Sequence, residues 1–195
     1  MPTGRPRSFD IDKALDRALE VFWHKGYEGA TLPDLTRAMG INRPSLYAAF
    51  GNKEALFKKA IDRYAEGPGC YAKEALAEPT ARLVVERLLH GAVDLVTDRR
   101  NPHGCIMVQG ALACGDSAAP VRRELVKRRA ASEAALRERF ERAQSEGDLP
   151  PDSDPAVLAG YVVTICHGIA VQAATGAARA ELMRVAEMAI RSWPS

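Results

Sequence analysis

The stretch from residue 31 to residue 53 reads TLPDLTRAMGINRPSLYAAFGNK, and it decides the fold. Thr31 and Asp34 have the spacing of a capping box, in which each side chain bonds the other residue's backbone N–H. Apolar residues then recur at helical spacing as far as Met39. Gly40 follows them, where glycine suits the left-handed conformation that ends a helix. The pattern predicts a short helix that begins after Thr31 and ends at Gly40.

A second short helix is predicted directly after this turn. Asn42 has a side chain suited to a helix cap, and Pro44 fits a first turn, where its missing N–H does no harm. The apolar positions face inward and leave three polar side chains near the N-terminus on the outer face: Arg43, Ser45 and Tyr47. Two such helices predict a helix-turn-helix, whose second helix enters the major groove of DNA. The alternative is an ordinary helical hairpin with solvated polar residues.

The flanks of the hairpin favour DNA binding. Arg5 and Arg7 belong to a basic N-terminal arm that fits a minor groove or a row of phosphates, although a disordered tail is the alternative. Asn52 is the expected cap of the next helix, so Lys53 adds positive charge beside free backbone N–H groups, which suits a phosphate. Residues 1–64 carry a net charge of +3, against −1 for the remainder.

Four runs of this region carry a family resemblance. GYEGAT (26–31), AMGI (38–41), SLYAAF (45–50) and NKEALF (52–57) resemble the N-terminal domain of TetR/AcrR-family transcriptional regulators. Pro44 departs from the family pattern, which usually has glycine or a small residue there. With the residue analysis, the resemblance predicts that double-stranded operator DNA is bound through these residues: Arg5, Arg7, Thr31, Asn42, Arg43, Pro44, Ser45, Tyr47 and Lys53.

Composition narrows the class of protein further. The chain has 195 residues, of which 47% are hydrophobic and 27% charged, as in soluble globular proteins. Its N-terminus is polar, so no signal peptide is expected. Four cysteines lie far apart without a C-x-x-C pair, which argues against a zinc site and against a secreted disulfide scaffold. We therefore expect a cytoplasmic protein without metal or cofactor; a helical enzyme remains an alternative that no catalytic motif supports.

The periodicity predicts an all-α protein of about nine helices, with no strand pattern. Residues 1–50 are predicted to form the DNA-binding domain, and a helix from about residue 52 links it to an effector-binding and dimerisation domain, residues 51–195. That helix is expected to extend to about residue 77, with a break or kink at residues 67–69, where the sequence reads Gly-Pro-Gly. The remaining helices are predicted at about 10–25, 80–98, 105–114, 118–145, 155–175 and 177–192.

Residues 155–178 approach the length that spans a bilayer. They are rich in alanine and glycine rather than leucine, and an Asp154-Pro155 cap precedes them. We interpret them as a buried helix of a soluble bundle, with no membrane partner.

A stripe of mostly small side chains recurs every four residues in the same region: Gly160, Thr164, Gly168, Gln172 and Gly176. Small side chains let another helix approach closely, within the chain or from a second copy. The resemblance favours a homodimer, since family members usually pair through their last two helices. A twofold dimer would read a palindromic site.

Cys105 follows His103-Gly104 at a predicted helix N-terminus, where the helix dipole favours a thiolate. Gly-Cys recurs here in a subset of the family, some of whose members sense reactive species. A thiol-based redox or electrophile switch is therefore the alternative mechanism. The simpler interpretation is a small buried apolar residue.

The resemblance also implies a pocket for a small-molecule effector in the C-terminal domain. Candidate lining residues, chosen by chemistry, are Tyr71, Cys105, Met107, Gln109, Tyr161, Cys166 and His167. His167 is either a polar anchor in that pocket or a hydrogen-bonded core residue. The resulting hypothesis is a repressor that a small molecule releases from its operator.

Overall fold

The computed structural model describes residues 9–112 and 118–194, and within these ranges it contains helices and no strand. These described residues form ten helices, one more than the sequence suggested. They are α1 (Ile11–Gly29), α2 (Leu32–Met39), α3 (Arg43–Phe50), α4 (Lys53–Glu66), α5 (Tyr71–Ala75), α6 (Ala81–Thr97), α7 (Ile106–Leu112), α8 (Ala119–Ser145), α9 (Pro155–Ala174) and α10 (Arg179–Arg191).

The extra helix comes from the break between α4 and α5. Gly67 ends α4, and its N–H donates to the carbonyl of Arg63. Pro68 has no N–H and so interrupts the hydrogen-bond ladder. The expected break thus separates two helices instead of kinking one, and α5 is only five residues long.

The predicted helix-turn-helix is present, with the caps that its sequence indicated. The Thr31 hydroxyl accepts from the Asp34 N–H at 3.2 Å, and an Asp34 carboxylate oxygen accepts from the Thr31 N–H at 3.2 Å. Gly40 is left-handed with φ of 67°, as the end of α2 requires. The Asn42 side chain accepts from the Ser45 N–H at 2.8 Å and begins α3.

The N-terminal helices share one apolar core. Phe22 of α1, Leu46 of α3 and Phe57 of α4 are fully enclosed within it, and the rings of Phe22 and Phe57 meet edge to face at 5.0 Å. Later helices complete this core with Leu95, Ile106, Val121 and Leu125. The first four helices are therefore packed on the rest of the chain and not merely tethered to it.

A second core lies among α5, α6, α8, α9 and α10. The rings of Phe140 and Trp193 meet there, and Val84, Leu89 and Ile169 are buried in the same core. Buried Arg139 donates to the carbonyls of Glu78 and Pro79, which secures the loop before α6.

Helix α9 is only partly covered by the rest of the chain. It is long and apolar enough to cross a membrane, with mean hydropathy 1.7, and 28% of that window is buried within the structure. Its neighbours α6, α8 and α10 cover one side. The interpretation of a buried helix therefore holds for one side of α9 only, and the other side is exposed within the described chain.

Candidate functional site

The outer surface of α3 presents the polar residues expected to meet DNA. Asn42, Arg43 and Pro44 are exposed, Ser45 is half-buried, and the Tyr47 side chain is 45% exposed. Leu46 and Phe50 face the core and fix the orientation of this short helix. The arrangement brings a cation and a phenol to one surface, which can meet phosphates and base edges.

Two predicted phosphate contacts lie beside α3. Thr31 is exposed, but its hydroxyl already donates to Asp34 at 2.7 Å. Lys53 begins α4, and its ammonium lies 4.6 Å from the centre of the Tyr27 ring, a cation–π arrangement that holds the side chain in place. Partial burial lowers the pKa of Lys53. Arg5 and Arg7 lie outside the described residues.

An ion pair that the sequence analysis did not identify ties α2 to α1. Lys25 Nζ lies 2.9 Å from Asp34, which the Thr31 hydroxyl also contacts. These interactions, with the Thr31 hydrogen bond the largest, lower the pKa of Asp34 to about 2. No local pattern indicates the pair, because Lys25 and Asp34 belong to helices whose relative placement depends on tertiary packing.

A cavity of about 970 Å³ lies between α5, α6, α8 and α9. Five of the seven predicted lining residues border it: Tyr71, Cys105, Met107, Cys166 and His167. Gln109 and Tyr161 do not, so those two predictions were wrong. Gln109 instead lies so close to Gly104 that a Cβ there would come within 2.7 Å of its side-chain amide. Tyr161 lies on the outer side of α9, 40% exposed, with its hydroxyl 3.3 Å from Ser192 Oγ.

The sequence analysis missed most of the cavity wall, including an arginine. Arg129 comes from α8, and the apolar wall includes Leu88, Ala92, Val96, Val162 and Ala170. The sequence pattern of α8 is dominated by charge, so it gave no sign that a cation on this helix turns inward. Burial and the nearby charge of Arg129 lower the pKa of His167.

The thiols of the cavity are not activated. Burial raises the pKa of Cys105 and outweighs the hydrogen bond from Tyr64 and the backbone N–H groups of Met107 and Val108, which act in the opposite direction. The start of α7 does favour a thiolate, as its sequence indicated, but burial of Cys105 has the larger effect on its pKa. Burial likewise raises the pKa of Cys166 to about 12.

The cavity wall is bonded to the N-terminal helices. Tyr64 of α4 donates its hydroxyl hydrogen to Cys105 Sγ at 3.1 Å. Trp23 of α1 donates its indole N–H to the carbonyl of Gly104 at 3.0 Å, in a buried bond. The Trp23 and Tyr64 rings meet edge to face at 4.9 Å. A movement of the start of α7 would therefore act directly on α1 and α4, the helices that support α2 and α3.

The outer side of α9 and α10 carries an exposed apolar surface, which we call the α9–α10 face. It is formed by Val157, Tyr161, Val171, Val185 and Met188, whose exposed fractions run from 40% to 65%. Thr164, Gly168 and Gln172 of the predicted stripe are exposed on α9, and a Cβ at Gly168 would meet no atom within 4 Å.

Two members of the predicted stripe do not belong to an open helical face. Gly160 is half-buried, and a Cβ there would lie 3.7 Å from the Glu133 carboxylate of α8. Gly176 lies beyond the end of α9, in a left-handed turn with φ of 96°. The regular spacing was misleading there because the helix stops at Ala174.

Comparison with known proteins identifies the family. Residues 14–60 match the family described as "Bacterial regulatory proteins, tetR family", and residues 79–189 match "Tetracyclin repressor-like, C-terminal domain". The HTH-type transcriptional repressor ComR of Escherichia coli (strain K12) is 33% identical over 98% of this chain and 92% of its own. The HTH-type transcriptional regulator YezE of Bacillus subtilis (strain 168) is 31% identical over 82% of this chain and 83% of its own.

A solved structure agrees over nearly the whole chain. A cysteine mutant of the TetR family transcriptional regulator CifR, complexed with 26-base-pair double-strand operator DNA, has a TM-score of 0.92 and 44% sequence identity, and the match covers 97% of this chain and 100% of that one. The match thus includes both the helix-turn-helix and the helical bundle that follows it. The chain belongs to the TetR family of DNA-binding transcriptional regulators, and it is a regulator rather than an enzyme.

Proposed function

We propose that the protein is a homodimeric repressor in the bacterial cytoplasm, which binds a palindromic operator and leaves it when a small molecule fills the cavity. The observation that carries this proposal is the bonding of the cavity wall to the DNA-binding helices, through Cys105 to Tyr64 and through Gly104 to Trp23. A ligand that prefers a different arrangement of α7 would reposition α1 and α4, and with them α3.

Operator recognition is assigned to the exposed surface of α3. Arg43 and Tyr47 project from the helix that would enter the major groove, and Lys53 flanks it. The relative CifR has been solved on operator DNA, and ComR is named a repressor. Both facts support a repressor that acts by occupying its operator.

Dimerisation is assigned to the α9–α10 face. An apolar surface of this kind, on the longest uncharged helix of the chain, is expected to be covered in solution. A second copy of the chain covers it best, because a twofold axis there gives two copies of α3, and these read half-sites about one helical turn of DNA apart.

DNA binding is tested with the DNA immediately upstream of the protein's own gene, titrated with salt. We expect affinity to fall steeply with salt, and Arg43→Ala to weaken binding by tenfold or more, on the order of 1–3 kcal/mol. Arg142→Ala, an exposed arginine at the far end of α8, is the matched control and should bind normally. Equal losses in both variants, or binding no tighter than to random DNA in a genome-wide selection of sites, would contradict the assignment of α3.

The dimer is tested by sedimentation of Met188→Lys. Met188 is 64% exposed on α10, so the folded chain should tolerate a lysine while the dimer dissociates. Val126→Lys, at a 48% exposed position of α8 outside the α9–α10 face, is the control and should remain a dimer. A dimeric Met188→Lys protein would place the interface elsewhere.

A further inference from the structure

Arg129 borders the cavity, and its Nε is buried without a hydrogen-bond partner among residues 9–112 and 118–194. Its neighbour Arg128 is fully paired, with Asp62 at 2.5 Å and Glu124 at 2.7 Å. Glu133, one turn further along α8, is exposed and forms no ion pair with Arg129 within the described chain. Arg129 thus borders the cavity, and its guanidinium is available to bind an anion there.

Two further polar side chains border the same space. His167 comes from α9 and Tyr71 from α5, and each can offer a hydrogen bond to a ligand. The charge of Arg129 reaches His167, since together with burial it lowers the pKa of that imidazole. The remaining wall is mostly apolar. Glu66, Lys73 and Glu74 also border the cavity, and Glu74 is paired with Arg87. The cavity therefore combines the Arg129 guanidinium and a few other polar groups with a large apolar surface.

We propose that the effector is a small amphipathic carboxylate, whose carboxylate pairs with the Arg129 guanidinium and whose apolar body lies against Leu88, Val96 and Val162. The proposal rests on the proposed role of the cavity as the effector site. It names the chemical class of the ligand and the residue that selects it.

A ligand carboxylate would compensate the charge of Arg129. A guanidinium held in a partly desolvated cavity is unfavourable without an anion, and a planar carboxylate can satisfy it with two parallel hydrogen bonds. An alcohol of the same length gains the same apolar burial but leaves the charge unpaired. Ligands with and without the carboxylate should therefore differ in affinity, and Arg129 should account for the difference.

The test uses octanoate and octan-1-ol as probes, with calorimetric titration of the full-length protein. We expect octanoate to bind about tenfold more tightly than octan-1-ol, which is the effect of one charge-assisted pair. In Arg129→Gln the preference should shrink to less than about threefold, while octan-1-ol binds as before. Arg142→Gln, exposed at the end of α8, is the control and should keep the preference.

Equal binding of the two probes by the unaltered protein, binding of neither, or a preference that survives in Arg129→Gln would overturn the proposal. Retained octan-1-ol binding shows that Arg129→Gln still folds around its cavity. Operator binding is measured on the same samples with and without octanoate. A carboxylate preference without release of DNA would leave the anion site standing and refute the effector role of octanoate; loss of operator binding in every sample would refute the proposed function alone.

Discussion

Gly91→Ala is expected to destabilise the protein, although alanine is the better helix former. Gly91 lies inside α6, against the ring of Tyr71, which borders the cavity. A Cβ at Gly91 would overlap Tyr71 Cδ2, and it would lie 2.7 Å from Cγ and 3.0 Å from Cε2. Ordinary contacts begin at 3.4 Å, so the contact with Cγ alone requires the ring to move by 0.7 Å (3.4 minus 2.7), and the contact with Cδ2 requires more. An aromatic ring cannot yield as a flexible chain end would, and the strain falls on the packing of α5 on α6.

Two opposing effects determine how much Gly91→Ala changes the free energy of unfolding. Replacing glycine by alanine inside a helix stabilises by about 0.5–1 kcal/mol, and overpacking destabilises by about 1–3 kcal/mol. We expect a net loss of about 0.5–2 kcal/mol in the free energy of unfolding, measured by urea denaturation at fixed protein concentration.

A double-mutant cycle isolates the contact. In a Tyr71→Ala background the ring is gone, so Gly91→Ala should stabilise that protein by the helix-propensity gain alone. A coupling of about 1–3 kcal/mol between the two positions is expected. If Gly91→Ala stabilised the unaltered protein, or cost the same in both backgrounds, the close approach of α6 to Tyr71 would be refuted.

Three further predictions concern other parts of the chain. Tyr47→Ala should weaken operator binding with a change in unfolding free energy below about 0.5 kcal/mol, measured by thermal melts, because the side chain is exposed; large destabilisation would make it a core residue. Thr31→Ala should raise the pKa of Asp34 from about 2 towards its usual value, seen by carboxyl NMR titration. Since that pKa is depressed, its stabilising effect is present above about pH 4 and lost as pH falls towards 2. Cys105 and Cys166 should react slowly with iodoacetamide at pH 7.5 in the folded protein, because burial raises both pKa values; rapid alkylation of Cys105 would favour the thiol switch.

Local signals in the sequence predicted the helix-turn-helix in detail. The capping box at Thr31, the left-handed Gly40 and the Asn42 cap depend on neighbours within three or four residues, and all three are present. The break after Gly67 is local in the same sense. Such features depend on hydrogen bonds between residues that are close in sequence, so the sequence alone is enough to predict them.

The cavity could not be predicted in the same way. Tyr161 and Cys166 are five residues apart on α9, yet one is exposed and the other borders the cavity. Which side of α9 faces inward depends on how α6 and α8 pack against it, and a mostly apolar helix without charged residues gives almost no amphipathic signal. Arg129 was missed for the converse reason, since the many charges of α8 do not show which of them, such as Arg129 and Arg139, turn inward.

The packing of the first four helices bears on how a ligand signal could reach DNA. Leu95, Ile106 and Leu125 from α6, α7 and α8 are enclosed in the same core as Phe57 of α4. Gly110 of α7 is close to this junction, since a Cβ there would meet Leu125 at 3.0 Å and Phe57 at 3.9 Å. The start of α7 therefore borders the cavity through Cys105 and the N-terminal core through Ile106. Close-packed interiors transmit displacement rather than absorb it, so a ligand pressing on Cys105 has a short route to α4 and from there to α3.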